Sequence, residues 1–187
     1  VIDVIKKIKE KGAHVNNTCG LHIHVGFNKN NRKELTKLTS LVANFEKAIY
    51  AQTGTKSREQ GRWCESLQRQ GNVQYAMQQQ RNQRYNVLNT RSSFPTVEFR
   101  AFAATLNVDK IVGHLLCCIG LVEKSLESKR TTKFTAKKPV ATSPIARKGE
   151  GQTAVTRLFY GLGWTKGRER KVYGDLFQGI DVSLKSV

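Results

Sequence analysis

The sequence lacks the features that mark several common protein classes. It has only three prolines, one methionine and 14 acidic residues among 187. No apolar run reaches the roughly 18 residues of a membrane-spanning helix, so none is expected. The first residues, "VIDVIKKIKEKG", have the pattern of an amphipathic helix and do not resemble a secretion signal. The length allows one domain with a hydrophobic core.

The four cysteines form no CxxC pair, and two of them, Cys117 and Cys118, are adjacent in the sequence. A zinc site needs paired ligand spacings, and a disulfide framework needs a smaller chain that is richer in cysteine. We therefore expect buried free thiols and a cytoplasmic protein. Association with a virion or a nucleoprotein assembly stays open as an alternative location.

The shortage of acidic residues leaves a formal net charge of +18, which predicts a polyanionic partner such as nucleic acid, a nucleotide or an acidic polymer. Residues 129–171 carry 12 Lys or Arg and two Glu, whereas the rest of the chain carries 20 Lys or Arg and 12 Asp or Glu. A solvated, flexible basic surface is the alternative interpretation. Nucleic acid is thus one partner that the basic region allows, and no membrane partner is expected.

The apolar pattern predicts an α+β fold, in which an antiparallel sheet has helices packed on one face. Helices are expected over 2–11, in a long segment ending near Gln52, and from the cap Asn107 to about Ser128. Between Thr53 and Gln83 the chain is polar, and we expect a long loop with one or two short helices. Strands are expected in three stretches: Leu21–Phe27, "RYNVLN" and "TVEFRAF".

The first of these strands lies in "CGLHIHVGF", residues 19–27, which carries two histidines two positions apart. Strand alternation directs Leu21, Ile23, Val25 and Phe27 to one face. His22 and His24 then share the other face. Imidazole offers a neutral nitrogen ligand or a proton near pH 7, so the pair indicates a metal or anion site. A half-exposed strand that merely carries two histidines is the alternative, and this pair alone does not decide between them.

The strand "TVEFRAF" has the same design, because Glu98 and Arg100 alternate with Val97, Phe99 and Ala101. A carboxylate is a hard ligand for Mg²⁺, and arginine can clamp a phosphate or carboxylate with two donors. Alone, a structural Glu–Arg pair is the better interpretation. If the two strands share a sheet, however, their polar side chains lie on one face, which then has the residue types that phosphoryl transfer requires. That face would hold His22, His24, Glu98 and Arg100, with Arg84 and Asn89 just upstream.

Three stretches in this order, "CGLHIHVGF", "RYNVLN" and "TVEFRAFAATLN", resemble the amidoligase family of carboxylate–amine ligases. The family pattern is roughly a G-L-H-x-H-V strand, then R-Y-x-x-x-N, then T-x-E-F-R-x-F-x-x-T-L. The late "RLFYGLGW" and "YGDL" are similar to the C-terminal part of such chains. The resemblance covers about residues 15–180 loosely, and 19–27 and 84–107 closely.

The resemblance implies a glutamine-synthetase-like catalytic sheet, ATP and Mg²⁺ as cofactors, and an acyl-phosphate route from a carboxylate substrate and an amine donor to an amide. By position it implies His24 and Glu98 as metal ligands, and Arg100 and Arg84 as catalytic residues. His22 and Asn89 would bind substrate or nucleotide. Lys56 and Arg58 in "GTKSREQG" match a loop where the family often has a basic residue, and they join the substrate- or nucleotide-binding set.

Family members begin with strands that carry acidic metal ligands upstream of the two-histidine strand, and this chain starts after that point. We therefore expect a partial ligase-like catalytic domain over 1–128. Either a separate chain supplies the missing strands, or the site is incomplete. A basic flexible connection over 129–152 and a C-terminal helical segment over 153–187, packing on the same domain, would follow. The chain would then be the larger part of a split or processed enzyme.

Two functions from different classes follow from these observations. The first is an ATP- and magnesium-dependent carboxylate–amine ligase. The second is a catalytically incomplete basic protein that binds nucleic acid or belongs to a nucleoprotein assembly. The charge and the missing acidic strands favour the second, whereas the paired histidines beside a glutamate favour the first. A metal-binding fold without catalysis is a third and weaker interpretation.

Overall fold

A computed structural model of the chain describes residues 2–53, 58, 61–67, 84–129, 158–159 and 161–164. The polar loop from Thr53 to Gln83, the basic connection and the C-terminal segment lie largely outside these residues. In chain order the elements are α1 (Ile2–Glu10), β1 (Gly20–Gly26), α2 (Arg32–Ala51), β2 (Leu88–Asn89), β3 (Thr96–Ala103) and α3 (Val108–Glu127). The α+β class and the antiparallel sheet are confirmed for the described part of the chain.

The sheet has the strand order β1-β3-β2, so that β3 lies in the middle and pairs antiparallel with both neighbours. This position buries six consecutive residues of β3, Val97–Phe102. The stretch "RYNVLN" is less regular than expected. Only Leu88–Asn89 is a strand, and Asn86 forms an isolated parallel bridge with Glu65.

Helices α2 and α3 pack against each other and against the sheet. Each begins at an asparagine whose side chain accepts a hydrogen bond from a backbone N–H three residues later. Asn31 accepts from Glu34 at 3.2 Å, and Asn107 accepts from Lys110 at 3.0 Å, as predicted for Asn107. The expected apolar row of β1 contributes to the core: Ile23 and Phe27 are buried, and Leu21 and Val25 pack against them.

The helix α3 also buries His114. Its ring is 2% exposed and stacks on Phe102, with ring centroids 4.2 Å apart. Burial, helped by the charge of Lys110, lowers the pKa of His114 to about 4. Because α3 contacts both α2 and β1, its buried surface is wider than one apolar stripe.

A short turn from the C-terminal region docks on the two long helices. Leu158 is fully buried in the core. A Cβ on Gly161 would lie 2.7 Å from Phe45 Cζ of α2, and a Cβ on Gly120 of α3 would lie 2.9 Å from Trp164 Cζ2. Such distances mean that the turn packs directly on the helix surfaces.

The thiols are free, as expected, although only three of the four are buried. Cys64, Cys117 and Cys118 are buried, and Cys19 is partly exposed. Burial raises the pKa of Cys117 to about 11, which makes this thiol unreactive at neutral pH. None of the helices in the described ranges combines the length and apolarity that crossing a membrane requires.

Candidate functional site

Glu98 lies at the centre of a polar cluster on the sheet. In the strand register it stands between His24 of β1 and Asn89 of β2. Its Oε1 accepts a hydrogen bond from Arg100 Nη1 at 2.6 Å and lies 2.9 Å from His22 Nδ1. Its Oε2 accepts from Asn89 Nδ2 at 2.7 Å. The structure therefore brings five of the predicted site residues together, and we call them the polar floor: His22, His24, Asn89, Glu98 and Arg100.

A bulge in the β1–β3 ladder shapes this floor. Ile23 pairs with Phe99, but Leu21 pairs with Phe102, so His22 faces two residues of β3. A bulge redirects side chains and increases local twist. Arg100 lies beside Glu98, as the alternation in "TVEFRAF" predicts, and the departure comes at Phe102, which stacks on His114 of α3.

The carboxylate defines the hydrogen-bonding state of His22. Glu98 Oε1 lies closer to His22 Nδ1 than Arg100 Nη1 does, 2.9 Å against 3.4 Å. We therefore assign the proton to Nδ1, which donates to Glu98, and leave a lone pair on Nε2. Partial burial lowers the pKa of His22, and the charge of Arg100 lowers it further, while Glu98 opposes both. The neutral ring is consequently the favoured form at neutral pH.

His24 lies at the margin of the floor. Its Nδ1 is 3.0 Å from Thr96 Oγ1, and its Nε2 is 3.9 Å from Glu98 Oε1. The edge of its ring faces Phe94, with centroids 6.2 Å apart. The side chain is 40% exposed, so Nε2 remains accessible from solvent.

Arg58 enters the same site from the segment after α2. It is 7% exposed, and its Nη2 donates to the backbone oxygen of Arg100 at 2.6 Å. Its Nε donates to the oxygen of Ala101 at 3.4 Å. These carbonyls belong to the bulge, so Arg58 helps to hold the irregular part of β3 opposite His22.

Of the two remaining cations of the predicted set, Arg84 and Lys56, the structure describes only Arg84, which is connected to the floor residues through Tyr85. Arg84 is exposed, and its guanidinium carbon lies 5.1 Å from the ring centroid of Tyr85. Arg100 lies 5.5 Å from the same ring, while its Nε donates to Trp63 O at 3.2 Å. Arg84 therefore lies at the rim, across an aromatic side chain from the floor. Lys56 is outside the described residues.

The polar floor does not by itself form a site for a divalent cation. Mg²⁺ prefers several oxygen ligands, and the floor offers one carboxylate whose two oxygens already accept hydrogen bonds from Arg100 and Asn89. No group of three or more His, Cys, Asp or Glu with metal-binding geometry occurs in the described ranges. The metal role of His24 and Glu98 stays a prediction, and Glu98 would have to release a partner to fulfil it.

Sequence reasoning missed two contributors to this site, Gly20 and the backbone oxygen of Trp63. Gly20 begins β1, and the position where its Cβ would lie is surrounded by nitrogens of Arg58 and His22. The "CG" before the histidines was a visible signal, since a glycine within a strand often marks a close approach or a bulge. The role of Trp63 O had no signal, because any residue carries a backbone oxygen.

Together, the fold and the site define a small α+β domain with a buried carboxylate held by Arg100, His22 and Asn89 on its sheet. Residues 1–81 match the model of a protein family described as "Putative amidoligase enzyme". This match confirms the amidoligase resemblance over the part that contains β1, α2 and Arg58. The strand with Glu98 and Arg100 follows the matched part. Neither a curated protein nor a solved structure shows significant similarity to the chain.

Proposed function

We propose that this chain is a carboxylate–amine ligase that uses ATP, with magnesium, to form an amide through an acyl phosphate. The observation that carries the proposal is the buried carboxylate of Glu98, which contacts Arg100 and His22, with the buried guanidinium of Arg58 bonded to the backbone of Arg100 beside them. The family match over residues 1–81 supports the class of reaction. In the proposed reaction, the carboxylate takes the terminal phosphoryl group of ATP and ADP leaves. The amine then forms a C–N bond, the C–O bond to phosphate breaks, and phosphate and a proton are released.

Each described residue has a separate task in this proposal. Arg58 supplies a guanidinium that no described carboxylate neutralises, so it can hold an anionic substrate group. Arg100 is neutralised by Glu98 and shapes the floor, because it connects the carboxylate to the backbone at Trp63. His22 presents the lone pair of Nε2 to a substrate N–H. Asn89 keeps Glu98 in place from the opposite strand.

The first experiment is a titration of the purified chain with ATP, with and without Mg²⁺, at moderate salt. A Glu98→Ala variant is compared with Glu123→Ala, which removes an exposed carboxylate from α3 and so changes the net charge equally. We expect magnesium-dependent binding that only Glu98→Ala loses. Circular dichroism and thermal unfolding establish whether each variant is folded, and Glu98→Gln repeats the test with less change of shape.

Turnover is tested with hydroxylamine, which traps an acyl phosphate as a hydroxamate. The chain is incubated with ATP, Mg²⁺ and a panel of carboxylic acids, and the hydroxamate and ADP are measured together. Equal amounts of the two products support the ligase. ATP binding that ignores both magnesium and Glu98, combined with a steep salt dependence, would instead indicate general attraction to the net charge of +18.

A further inference from the structure

The starting observation is a buried arginine without a described counter-ion. Arg58 is 7% exposed, and its two hydrogen bonds use Nε and one hydrogen of Nη2. The Nη1 hydrogens and the second Nη2 hydrogen have no acceptor among the described residues. Burying a charge is costly unless it is paired or fully hydrogen-bonded. The guanidinium is therefore prepared to bind an anion.

The nitrogens of this guanidinium lie close to Gly20, beside the ring of His22. A Cβ on Gly20 would lie 3.0 Å from Arg58 Nη2, 3.2 Å from Arg58 Nη1 and 3.2 Å from His22 Nε2. Gly20 has no positive φ, so the close approach of these side chains, and not the backbone conformation, favours glycine here. Gly20 is itself exposed, so these nitrogens lie beside a solvent-exposed backbone. We call the place between Gly20, Arg58 and His22 the Gly20 corner.

The corner offers donors on one side and an acceptor on the other. Arg58 Nη1 and Nη2 donate only, because guanidinium has no acceptor. His22 Nε2 accepts, since Nδ1 gives its proton to Glu98. A simple anion would satisfy the arginine but would face the lone pair of the imidazole. A ligand that fits both needs an anionic oxygen and an N–H donor within a few ångströms of each other.

We propose that the Gly20 corner binds the α-amino carboxylate of a free amino acid, and that this amino acid is the amine substrate of the ligase. Its carboxylate contacts Arg58, and its amino group donates to His22 Nε2. The carboxylate of the amino acid supplies the counter-ion that Arg58 lacks among the described groups, because Glu98 and Arg100 neutralise each other. The binding site follows from the geometry, whereas the role as amine substrate rests on the proposed function.

The experiment is a titration of the full chain with small probes, followed by NMR at the Gly20 amide and the Arg58 Nε–H. The probes are glycine, acetate, glycinamide and inorganic phosphate at constant ionic strength. We expect weak binding of glycine, because the probe is small. Acetate and glycinamide should each bind at least about tenfold more weakly, since acetate lacks the N–H donor and glycinamide lacks the carboxylate.

Two glycine variants provide a matched pair on the same strand. Gly20→Ala places a methyl group into the corner and should weaken glycine binding at least about tenfold. Gly26→Ala is the control, because a Cβ there has no neighbour within 4 Å, and its affinity should stay within about twofold of the parent. In His22→Ala, glycine should lose its advantage over acetate. None of these three changes removes Arg58, which also holds the bulge.

Several results would overturn the proposal. If acetate binds as tightly as glycine, the proposed contact between the amino group and His22 does not exist. If phosphate binds more tightly than glycine, the corner is a phosphate site. Equal affinities for Gly20→Ala and Gly26→Ala would place the binding elsewhere. If glycine binds but no hydroxamate forms from any acid, the ligase proposal fails and the site stands. If hydroxamate forms but glycine does not bind, the site fails alone.

Discussion

Protonation of His114 should make the fold unusually sensitive to mild acid. The ordinary pKa of the imidazole is 6.5, and burial lowers it to about 4 in the folded protein. Well above pH 6.5 the ring is neutral in both the folded and the unfolded protein, so it does not change the free energy of unfolding. As the pH falls below 6.5, the unfolded chain takes up a proton and the folded chain does not, so the free energy of unfolding decreases until about pH 4. At about 1.36 kcal/mol per pKa unit, the total loss is about 3 kcal/mol.

The perturbation is His114→Phe, with His114→Leu as a second variant of different shape. Phenylalanine can keep the stack on Phe102, and it also removes Nδ1, a buried nitrogen without a hydrogen-bond partner. Urea unfolding between pH 7 and pH 4.5, followed by circular dichroism, measures the stability of each protein. Both variants should lose clearly less stability than the parent over this range.

The control is His14→Ala, which removes an exposed histidine from the same chain. This variant should follow the parent at every pH. The reasoning is refuted if the parent and His114→Phe lose stability in parallel between pH 6.5 and pH 4.5. Such a result would mean that the folded protein accommodates the imidazolium as easily as water does.

Three further predictions concern the sheet and the helices. Glu98→Gln should lower the free energy of unfolding in urea by about 3 kcal/mol, because it leaves the largely buried charge of Arg100 unpaired. Replacing both Glu98 and Arg100 by Met should recover much of this loss. A loss below about 1 kcal/mol would contradict a buried ion pair. Gly120→Ala should not give the gain in stability of about 1 kcal/mol that this change gives in an open helix, because the new Cβ would lie against Trp164. Tryptophan fluorescence emission should also shift to the red. A full gain in stability with unchanged emission would mean that the turn is not docked on α3. Asn107→Ala should cost about 1 kcal/mol through loss of the N-cap of α3, and no loss would show that the cap is dispensable.

The site was predictable from the sequence to the extent that its residues follow local rules. Alternation along "LHIHVGF" placed His22 and His24 on one face, and the same rule placed Glu98 on the polar side of β3. The rule also placed Arg100 beside Glu98, and it does not extend to Phe102, which lies beyond the bulge and stacks on His114. A bulge depends on how two strands distant in sequence fit together, so no local pattern announces it.

Local chemistry in the sequence determined the long elements of this protein, because apolar spacing and asparagine caps act within a few residues. It also determined the identity of the polar residues that reach the sheet. Only the tertiary structure decided that Glu98 lies beside His22, that Arg58 is buried beside Gly20, and that His114 lies against Phe102. These relations join residues up to 76 positions apart, as His22 and Glu98 are (98 − 22). Charge pairing and burial depend on distance in space, and the chain order does not specify that distance until the strands have paired.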